Sequence, residues 1–292
     1  MLITGAEGQL GWELVRHCAR KDMSHVGLSR QQLDLTRPEQ IWSALREIRP
    51  RVVINAAAYT AVDRAESEPE LAHAVNASGP RELARACQEV GALLIHVSTD
   101  YVFSGRSENP YREADATEPQ GVYGQSKWSG EEQIRQALER HLIVRTAWVY
   151  GVHGNNFVKT MLRLGAERPQ LRVVDDQWGN PTFASDLAEA LLQVLQRGGD
   201  FSAPEQWGTF HCVNAGVTTW FRFAQRILAE LLSTGHLELQ PIPSHEYPTP
   251  VKRPLYSALN CDRMEQTFGV KMRPWEQALE EMLERTQRRL TA

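Results

Sequence analysis

Apolar residues follow two rhythms along the first half of the chain. Short runs that are almost entirely apolar are typical of strands covered on both faces, and between them apolar residues recur at helical spacing. The runs that predict strands are MLIT, HVGLS, RVVINAAA, ALLIHVST and HLIVRTAWVYG. This repetition predicts an α/β fold, with a Rossmann-like, doubly wound parallel sheet and right-handed crossovers. A fully antiparallel arrangement is the weaker alternative.

The rhythm changes after Gly151. Helices are predicted over NNFVKTMLRLG, ASDLAEALLQVLQRG, TTWFRFAQRILAELLSTG and from Pro274 onward, with strands at LRVVDDQ and GTFHCVNAG. The Pro-rich stretch PIPSHEYPTPVKRP is too irregular for secondary structure, and we interpret it as a loop over a ligand. We expect a dinucleotide-binding Rossmann domain from residues 1–150 and 182–217. A smaller substrate-binding domain is expected from residues 151–181 and 218–292.

Composition excludes several classes of function. The 292 residues are 42% hydrophobic and 23% charged with a net charge of −4, and no basic stripe indicates a nucleic-acid surface. The longest apolar run, VVINAAAYTAV, is too short to span a bilayer, and the N-terminus has no signal-peptide pattern. The four cysteines form no C-x-x-C pair and the nine histidines are scattered. We therefore expect a cytoplasmic protein with reduced thiols and no metal centre, which binds neither membrane nor nucleic acid.

A glycine-rich segment, GAEGQLG, follows the first strand and precedes a helix. Gly5, Gly8 and Gly11 allow a tight turn and close backbone approach, and the helix N-terminus then offers N–H groups to a pyrophosphate. Gln9 and Leu10 belong to the same predicted cofactor site. An ordinary glycine-rich turn is the alternative, but the position directly after the first strand favours dinucleotide binding.

The end of the second strand is where such folds distinguish NAD from NADP. A carboxylate there accepts from the ribose hydroxyls of NAD, whereas a cation binds the 2′-phosphate of NADP. Here Ser29 and Arg30 come first, and Asp34 and Leu35 follow. This order predicts that Arg30 holds a phosphate and that Asp34 and Leu35 flank the adenine, with NADPH preferred and NADH accepted. The alternative is that Arg30 is a solvated loop residue.

Two further strand ends carry small or polar residues. Small side chains after the third strand let a cofactor lie against the backbone, and a hydroxyl-rich strand end is where an α/β sheet places its ligand. The predicted cofactor contacts after the third strand are Ala56, Ala57, Ala58 and Tyr59, and the fourth strand ends in Ser98, Thr99, Asp100 and Tyr101. A common Ser/Thr/Asp turn explains any one of these residues but not the whole run.

The segment YGQSK places Tyr123 four residues before Lys127 in a predicted helix, so the two side chains share one face. Tyrosine is a poor acid at its free pKa of about 10, and a neighbouring ammonium is expected to lower that pKa. With Thr99 able to hydrogen-bond a substrate oxygen, the three residues predict a dehydrogenase catalytic triad. A tyrosine and a lysine at this spacing also occur by chance, so the surrounding motifs carry the argument.

The motifs resemble the extended short-chain dehydrogenase/reductases and, within them, the dTDP-4-dehydrorhamnose reductase family. The segments that carry the resemblance are GQLGWEL, VVINAAAYTAVDRAESEPE, VSTDYVFSG, VYGQSKWSGE, RTAWVYG, GNNFVKTMLRL, DDQWGNPT and YPTPVKRPLYSALN. The resemblance implies NAD(P)H-dependent reduction of the C4 ketone of dTDP-4-dehydro-6-deoxy-L-mannose to dTDP-L-rhamnose. It implies Tyr123 as proton donor, Lys127 as its partner and Thr99 as the triad hydroxyl, with Tyr123 and Lys127 also contacting the cofactor. The substrate contacts that it implies are Thr99, Asp100, Tyr101 and Trp148, together with Asn156, Gln177, Arg253 and Ser257 on the nucleotide-sugar side.

One departure concerns assembly. Some members of the family are dimers bridged by Mg²⁺ through glutamates, and Glu13 matches one such ligand. Ser185 stands where another glutamate is expected, which makes a Mg²⁺ bridge doubtful; a homodimer is possible, and if it forms we expect it to need no metal. Two alternatives stay open. The chain also resembles the NADP-binding regulatory subunit of methionine adenosyltransferase, and it could be a reductase or epimerase of another nucleotide sugar.

Overall fold

The structure is a computed structural model that describes residues 1–290. The strands are β1 Leu2–Thr4, β2 Val26–Leu28, β3 Val52–Asn55, β4 Leu93–Thr99, β5 His141–Thr146, β6 Val149–Tyr150, β7 Gln170–Val174, β8 Trp178–Gly179, β9 Thr182–Phe183, β10 Gly208–His211, β11 Thr218–Thr219 and β12 Glu238–Ile242. The α-helices are α1 Gln9–Arg20, α2 Pro38–Ile48, α3 Val62–Ala65, α4 Pro69–His73, α5 Gly79–Val90, α6 Val122–Ala137, α7 Phe157–Glu167, α8 Ala184–Arg197, α9 Trp220–Ile227, α10 Ala229–Ser233, α11 Asp262–Phe268 and α12 Trp275–Leu290.

Six parallel strands form the central sheet in the order β10-β5-β4-β3-β1-β2. The predicted doubly wound α/β fold is confirmed, and the antiparallel alternative is wrong. The chain moves outward from β1 to β2 and then returns to the other side of β1 at β3. This reversal makes a switch point between the ends of β1 and β3, which is where open α/β sheets bind ligands.

Both faces of the sheet are covered by helices. Leu2 and Ile3 point to opposite faces because side chains alternate along a strand, and both are fully buried. Ile3 joins a core that contains Leu14 of α1 and Leu187 of α8, whereas Leu2 joins a core that contains Ile41 of α2. Double coverage explains why these strands are apolar without alternation.

A second hydrophobic cluster lies outside the central sheet. It contains Val158 of α7, Val173 of β7, Phe223 of α9 and Leu279 of α12, and β7 pairs with β12 in a two-stranded parallel sheet. The sequence boundaries at residues 150, 181 and 217 stay a prediction.

Three segments differ from the expected elements. The predicted strand over residues 141–151 divides into β5 and β6 because Trp148 has a left-handed backbone, with φ of +46°. The long helix expected from Thr218 divides at Leu228 into α9 and α10. The Pro-rich stretch begins inside β12 and contains a 3₁₀ turn, Ser244–Glu246, so it is more regular than expected. Within residues 1–290, the helices lack the combination of length and apolar character that crossing a bilayer requires.

Candidate active site

The glycine-rich turn lies at the switch point of the sheet. Gly5 has φ of +66°, and a Cβ there would lie 2.8 Å from the Ala57 Cα in the loop after β3. A Cβ on Gly11 would lie 2.1 Å from the Gly5 carbonyl oxygen. Helix α1 begins directly after Gly8, and the first N–H groups of any helix lack an intrahelical acceptor. Both near contacts are with backbone, so glycine at positions 5 and 11 is what lets this cradle of backbone pack closely, and its fit to a pyrophosphate stays a prediction.

Gln9 and Leu10 begin α1 but face different surroundings. Leu10 is buried in the core that contains Ile3, so its side chain packs inside the protein and its predicted contact with the cofactor is limited to the backbone. The Gln9 side chain accepts a hydrogen bond from Asn156 Nδ2 at 3.0 Å. That contact ties the cofactor turn to the start of α7.

Arg30 is exposed, as are Gln31 and Gln32 after it, in the segment that follows β2. Its side chain is 73% exposed, and its Nε lies 3.7 Å from Asp34 Oδ2. Asp34 is fixed by Thr36, whose N–H and hydroxyl donate to Oδ1 at 2.9 and 2.8 Å. Ser29 is buried, and Leu35 is buried against Gly79. The cation is thus at the predicted place, and its role in reading a phosphate stays a prediction.

The loop after β3 is held by a residue that the sequence analysis missed. Asn76 Oδ1 accepts from the Tyr59 N–H at 2.9 Å, and its Nδ2 donates to the Tyr59 carbonyl and to Ser126 Oγ, both at 3.0 Å. Asn76 lies in a π-helical turn, Ala74–Ser78, between α4 and α5. Such turns are frequent at functional sites. Through Asn76, the loop that contains the predicted cofactor contacts Ala56, Ala57 and Ala58 is linked to Ser126 of α6.

The predicted catalytic residues meet at the end of β4. The Thr99 hydroxyl donates to Asp100 Oδ1 at 3.0 Å and accepts from the Tyr101 N–H at 3.2 Å. The Tyr101 and Tyr123 rings pack edge to face with centroids 5.6 Å apart. The Thr99 hydroxyl is also close enough to the Tyr123 phenol to lower its pKa. The hydroxyl and the phenol of the predicted triad are therefore adjacent.

The effect expected of Lys127 on Tyr123 is wrong for this structure. Burial raises the pKa of Tyr123, the nearby Thr99 hydroxyl opposes the rise, and the Asp100 charge adds to it. Lys127 Nζ instead donates to the Val97 carbonyl at 2.6 Å and lies 3.2 Å from His96 Nε2. The ammonium is directed toward strand β4, so the phenol stays protonated at neutral pH. A protonated phenol is the form that a proton donor needs.

Asp100 is a buried acid with unfilled hydrogen-bonding capacity. Burial raises the pKa of Asp100 to about 6, and the nearby Ser257 hydroxyl and the hydrogen bond from Thr99 oppose that rise. Within the described chain its Oδ2 has no geometrically sound hydrogen-bond partner, so the Ser257 hydroxyl is close without completing a bond to that oxygen. A buried oxygen of this kind suits a polar group of a ligand.

Arg253 reaches the same place from the far end of the sequence. Its Nη1 donates to the Tyr101 hydroxyl at 3.1 Å and its Nη2 to Asp63 Oδ2 at 2.7 Å. These contacts place the Pro-rich stretch against the loop after β4. Val251 of the same stretch packs close to Gly121, because a Cβ on Gly121 would lie 2.7 Å from the Val251 side chain. Tyr101 and Arg253, which the sequence analysis expects to contact substrate, thus contact each other, and their contact with a substrate stays a prediction.

Trp148 is part of an aromatic stack. The Trp148 ring lies parallel to the Trp220 ring, with centroids 3.6 Å apart. Phe157 packs against Trp220, with ring centroids 4.6 Å apart. A Cβ on Gly179 would lie 2.6 Å from the Trp148 ring. Glycine at 179 therefore makes room for the stack.

Asn156 and Gln177 hydrogen-bond groups of the protein itself. Asn156 Oδ1 caps α7 by accepting from Lys159 N at 3.1 Å, while Gln177 Nε2 donates to Ser244 Oγ at 2.9 Å. These bonds give both amides a structural use, and their contact with a nucleotide sugar stays a prediction.

A buried ion pair beneath the site was also missed. Glu131 accepts from Arg145 Nε and Nη2 at 2.9 and 2.6 Å and from the Ser98 hydroxyl at 2.6 Å. Arg145 is 2% exposed and Glu131 fully buried. The pair joins α6 to β4 and β5. A charged residue inside the apolar run HLIVRT was the signal that could have revealed it.

The residues considered for metal binding are paired with cations. Glu13 forms an ion pair with Arg16 at 2.6 Å, and Ser185 Oγ accepts from Arg285 Nη1 at 3.0 Å and lies 2.9 Å from His17 Nε2. In the part of the chain that the structure describes, no group of three or more ligating side chains could hold a metal ion.

Known proteins resemble this chain along nearly its whole length. Residues 1–288 match the family model described as RmlD substrate binding domain. The dTDP-4-dehydrorhamnose reductase of Escherichia coli K12 is 41% identical over 290 residues, which cover 97% of this chain and 96% of that protein.

Solved structures of similar proteins give the same picture. A dTDP-4-dehydrorhamnose reductase from Clostridium acetobutylicum superposes with a TM-score of 0.91 at 41% identity, covering 98% of this chain and 99% of that chain. The enzyme of the same name from Bacillus anthracis, solved in complex with NADP, has a TM-score of 0.91 at 38% identity and covers 98% of each chain.

Proposed function

The chain belongs to the RmlD substrate binding domain family, and from that premise we propose that it reduces a dTDP-linked 4-dehydro-6-deoxy sugar with NADPH or NADH. The substrate is dTDP-4-dehydro-6-deoxy-L-mannose and the product dTDP-L-rhamnose. The observation that carries the proposal is the adjacency of Thr99, Asp100 and Tyr123 at the end of β4. The cofactor belongs to residues 1–150 and 182–217, and the sugar nucleotide contacts residues 151–181 and 218–292.

The glycine-rich turn and the N-terminus of α1 hold the cofactor's pyrophosphate. A Cβ on Gly5 or Gly11 would overlap backbone at 2.8 or 2.1 Å, so glycine is required for the turn to keep this shape. The backbone N–H groups then point toward an anion at the positive end of the helix. When bound, the nicotinamide supplies the hydride for the ketone carbon.

Tyr123 donates the proton. Its raised pKa keeps the phenol protonated at neutral pH. The Thr99 hydroxyl, which donates to Asp100 in this structure, turns to donate to the ketone oxygen that Tyr123 protonates. A positioned acid contributes about 10²- to 10⁴-fold to a rate. The phenol's O–H bond breaks as the new alcohol's O–H bond forms, which leaves tyrosinate to be reprotonated.

Three groups orient the sugar nucleotide. The unpartnered Oδ2 of Asp100 accepts from a sugar hydroxyl, and Arg253, held by Tyr101 and Asp63, faces the negative charge of the diphosphate. The Trp148 stack offers a flat apolar wall that suits a sugar or base ring.

The test is an assay of purified protein against a panel of nucleotide-linked 4-keto sugars, with NADPH oxidation as the readout. We expect the dTDP-linked 4-dehydro-6-deoxy-L-mannose to have the highest kcat/KM. Turnover of another nucleotide sugar alone, an epimerised product without NADPH oxidation, or cofactor binding without turnover would each reject the proposal.

The proton donor is tested by Tyr123→Phe, which keeps the ring and removes the hydroxyl. We expect kcat to fall by about 10²- to 10⁴-fold while cofactor affinity is retained. Near-normal turnover by Tyr123→Phe would remove Tyr123 from this role.

A further inference from the structure

A chain of buried polar side chains crosses the sheet beneath the candidate site. The Thr4 hydroxyl donates to Asn55 Oδ1 at 2.6 Å, Asn55 Nδ2 lies 2.9 Å from His96 Nδ1, and His96 Nε2 lies 3.2 Å from Lys127 Nζ. Thr4, Asn55 and His96 are fully buried and Lys127 is 2% exposed. The chain runs from β1 through β3 and β4 to the lysine of α6.

The orientation of the Asn55 amide follows from a backbone group. The Ala57 N–H donates to Asn55 Oδ1 at 3.2 Å. Because a backbone N–H can only donate, the Asn55 atom that faces it is the oxygen. The Asn55 NH₂ group is then the atom beside His96 Nδ1, so Nδ1 must be the acceptor.

This contact fixes the tautomer of His96. A neutral imidazole has one N–H and one acceptor nitrogen, and an acceptor Nδ1 places the proton on Nε2. The Nε2–H then faces Lys127 Nζ. An ammonium has three donors and no acceptor, whereas a neutral amine has a lone pair that accepts from Nε2–H while the amine donates to the Val97 carbonyl.

We propose that Asn55 and His96 are positioning residues that act on the proton of Lys127: by presenting Nε2–H to Nζ, they stabilise the amine form of the catalytic lysine and disfavour its ammonium form. This inference deepens the proposed function, because it concerns the lysine of that site. Lys127 loses its proton more readily than a lysine that faces an acceptor.

Electrostatics at the pair agrees with this assignment. Burial lowers the pKa of Lys127 to about 8, and the Glu131 charge opposes that change. Burial, then Lys127 and His141, lower the pKa of His96 well below its ordinary value. The Glu131 carboxylate is already bound by Arg145 and so compensates Lys127 only in part.

The tautomer can be observed without turnover. In protein labelled with ¹⁵N-histidine, two-bond ¹H–¹⁵N correlation spectra distinguish the two neutral tautomers, and the spectrum of His96→Leu identifies the His96 signals. We expect Nε2–H, with no second protonation above pH 6. A protonated Nδ1 would overturn the proposal. Because this measurement needs no substrate, it is independent of whether the proposed reaction is right.

The consequence for Lys127 is tested by the pH profile of kcat. The ammonium is the form in which Lys127 brings a positive charge to the proposed triad, so we expect activity to fall as pH rises through the lysine pKa. Loss of the facing N–H in His96→Leu raises that pKa, and we expect the basic limb to move up by about one pH unit. His141→Leu, which removes a buried imidazole on the neighbouring strand, is the control and leaves the limb in place.

A second variant distinguishes the hydrogen-bond effect of Asn55 and His96 on Lys127 from an effect of packing alone. Asn55→Asp presents a carboxylate to Nδ1, which draws the proton to Nδ1 and turns Nε2 into an acceptor for the Lys127 ammonium. We expect the basic limb to rise further than in His96→Leu. The added carboxylate also acts on the Lys127 pKa directly through space. The same Asn55→Asp change in the His96→Leu background measures this direct effect, because no imidazole is then present to transmit the other one. Equal shifts in the two backgrounds, or no shift, would overturn the proposal.

Discussion

Arg30→Ala tests which cofactor the end of β2 selects. The Arg30 side chain is 73% exposed and its ion pair with Asp34 spans 3.7 Å, so freeing it costs at most about 1 kcal/mol. A charge-assisted hydrogen bond to a 2′-phosphate contributes about 1.5–3 kcal/mol. The net preference for NADPH is therefore about 0.5–3 kcal/mol, or roughly 2- to 150-fold.

The assay is kcat/KM and the dissociation constant for NADPH and NADH, in wild type and variant. We expect Arg30→Ala to lose NADPH affinity within that range and to keep NADH nearly unchanged. Arg37→Ala is the matched control, because Arg37 is also exposed. Burial raises the pKa of Asp34, whereas hydrogen bonds from Thr36 and the charges of both arginines lower it. This control removes the same charge without removing the guanidinium at the strand end.

Asp34→Asn gives the opposite change. An asparagine keeps an oxygen for the two hydrogen bonds from Thr36 and removes the carboxylate that pairs with Arg30 and repels a phosphate. NADPH affinity is expected to rise. Equal losses for both cofactors in Arg30→Ala, or the same selective loss in Arg37→Ala, would show that Arg30 does not read the phosphate.

Three further outcomes are expected. Gly11→Ala places a Cβ 2.1 Å from the Gly5 oxygen, so the rise in melting temperature on adding NADPH should disappear; an unchanged rise would refute the fit of the cradle. Glu131→Gln leaves the buried Arg145 charge unpaired and should cost about 3–5 kcal/mol in denaturant unfolding. Burial raises the pKa of Glu131, but the effect of Arg145 is larger in the other direction, and the net pKa is below the ordinary 4.5. The pair therefore stabilises the fold above pH 4.5, and this stabilisation is lost as the pH falls through the lowered pKa. The variant should lack this acid-dependent loss, and a parallel pH dependence would contradict the assignment. Because Ser185 accepts from an arginine, a homodimer should survive EDTA in sedimentation velocity; dissociation reversed by Mg²⁺ would show a metal bridge.

Local regularity could be predicted because it depends on backbone geometry that every residue shares. Four-residue spacing placed Tyr123 and Lys127 in one helix, which the structure has as α6, Val122–Ala137. Where the local rule failed, a single backbone angle decided the result, as at Trp148 with φ of +46°.

The sequence by itself determined the β–α rhythm, the glycine-rich turn after β1 and the residue types at the strand ends, because each depends on neighbours within a few positions. Tertiary structure alone decided their partners. Lys127 meets His96 31 residues away, and Arg253 meets Tyr101 across 152 residues. The strand register places Asn55 beside His96. Lys127, which was expected to act on Tyr123, is directed at that histidine instead. The physical reason is that burial and packing set which donors and acceptors must satisfy one another, and no local pattern contains that information.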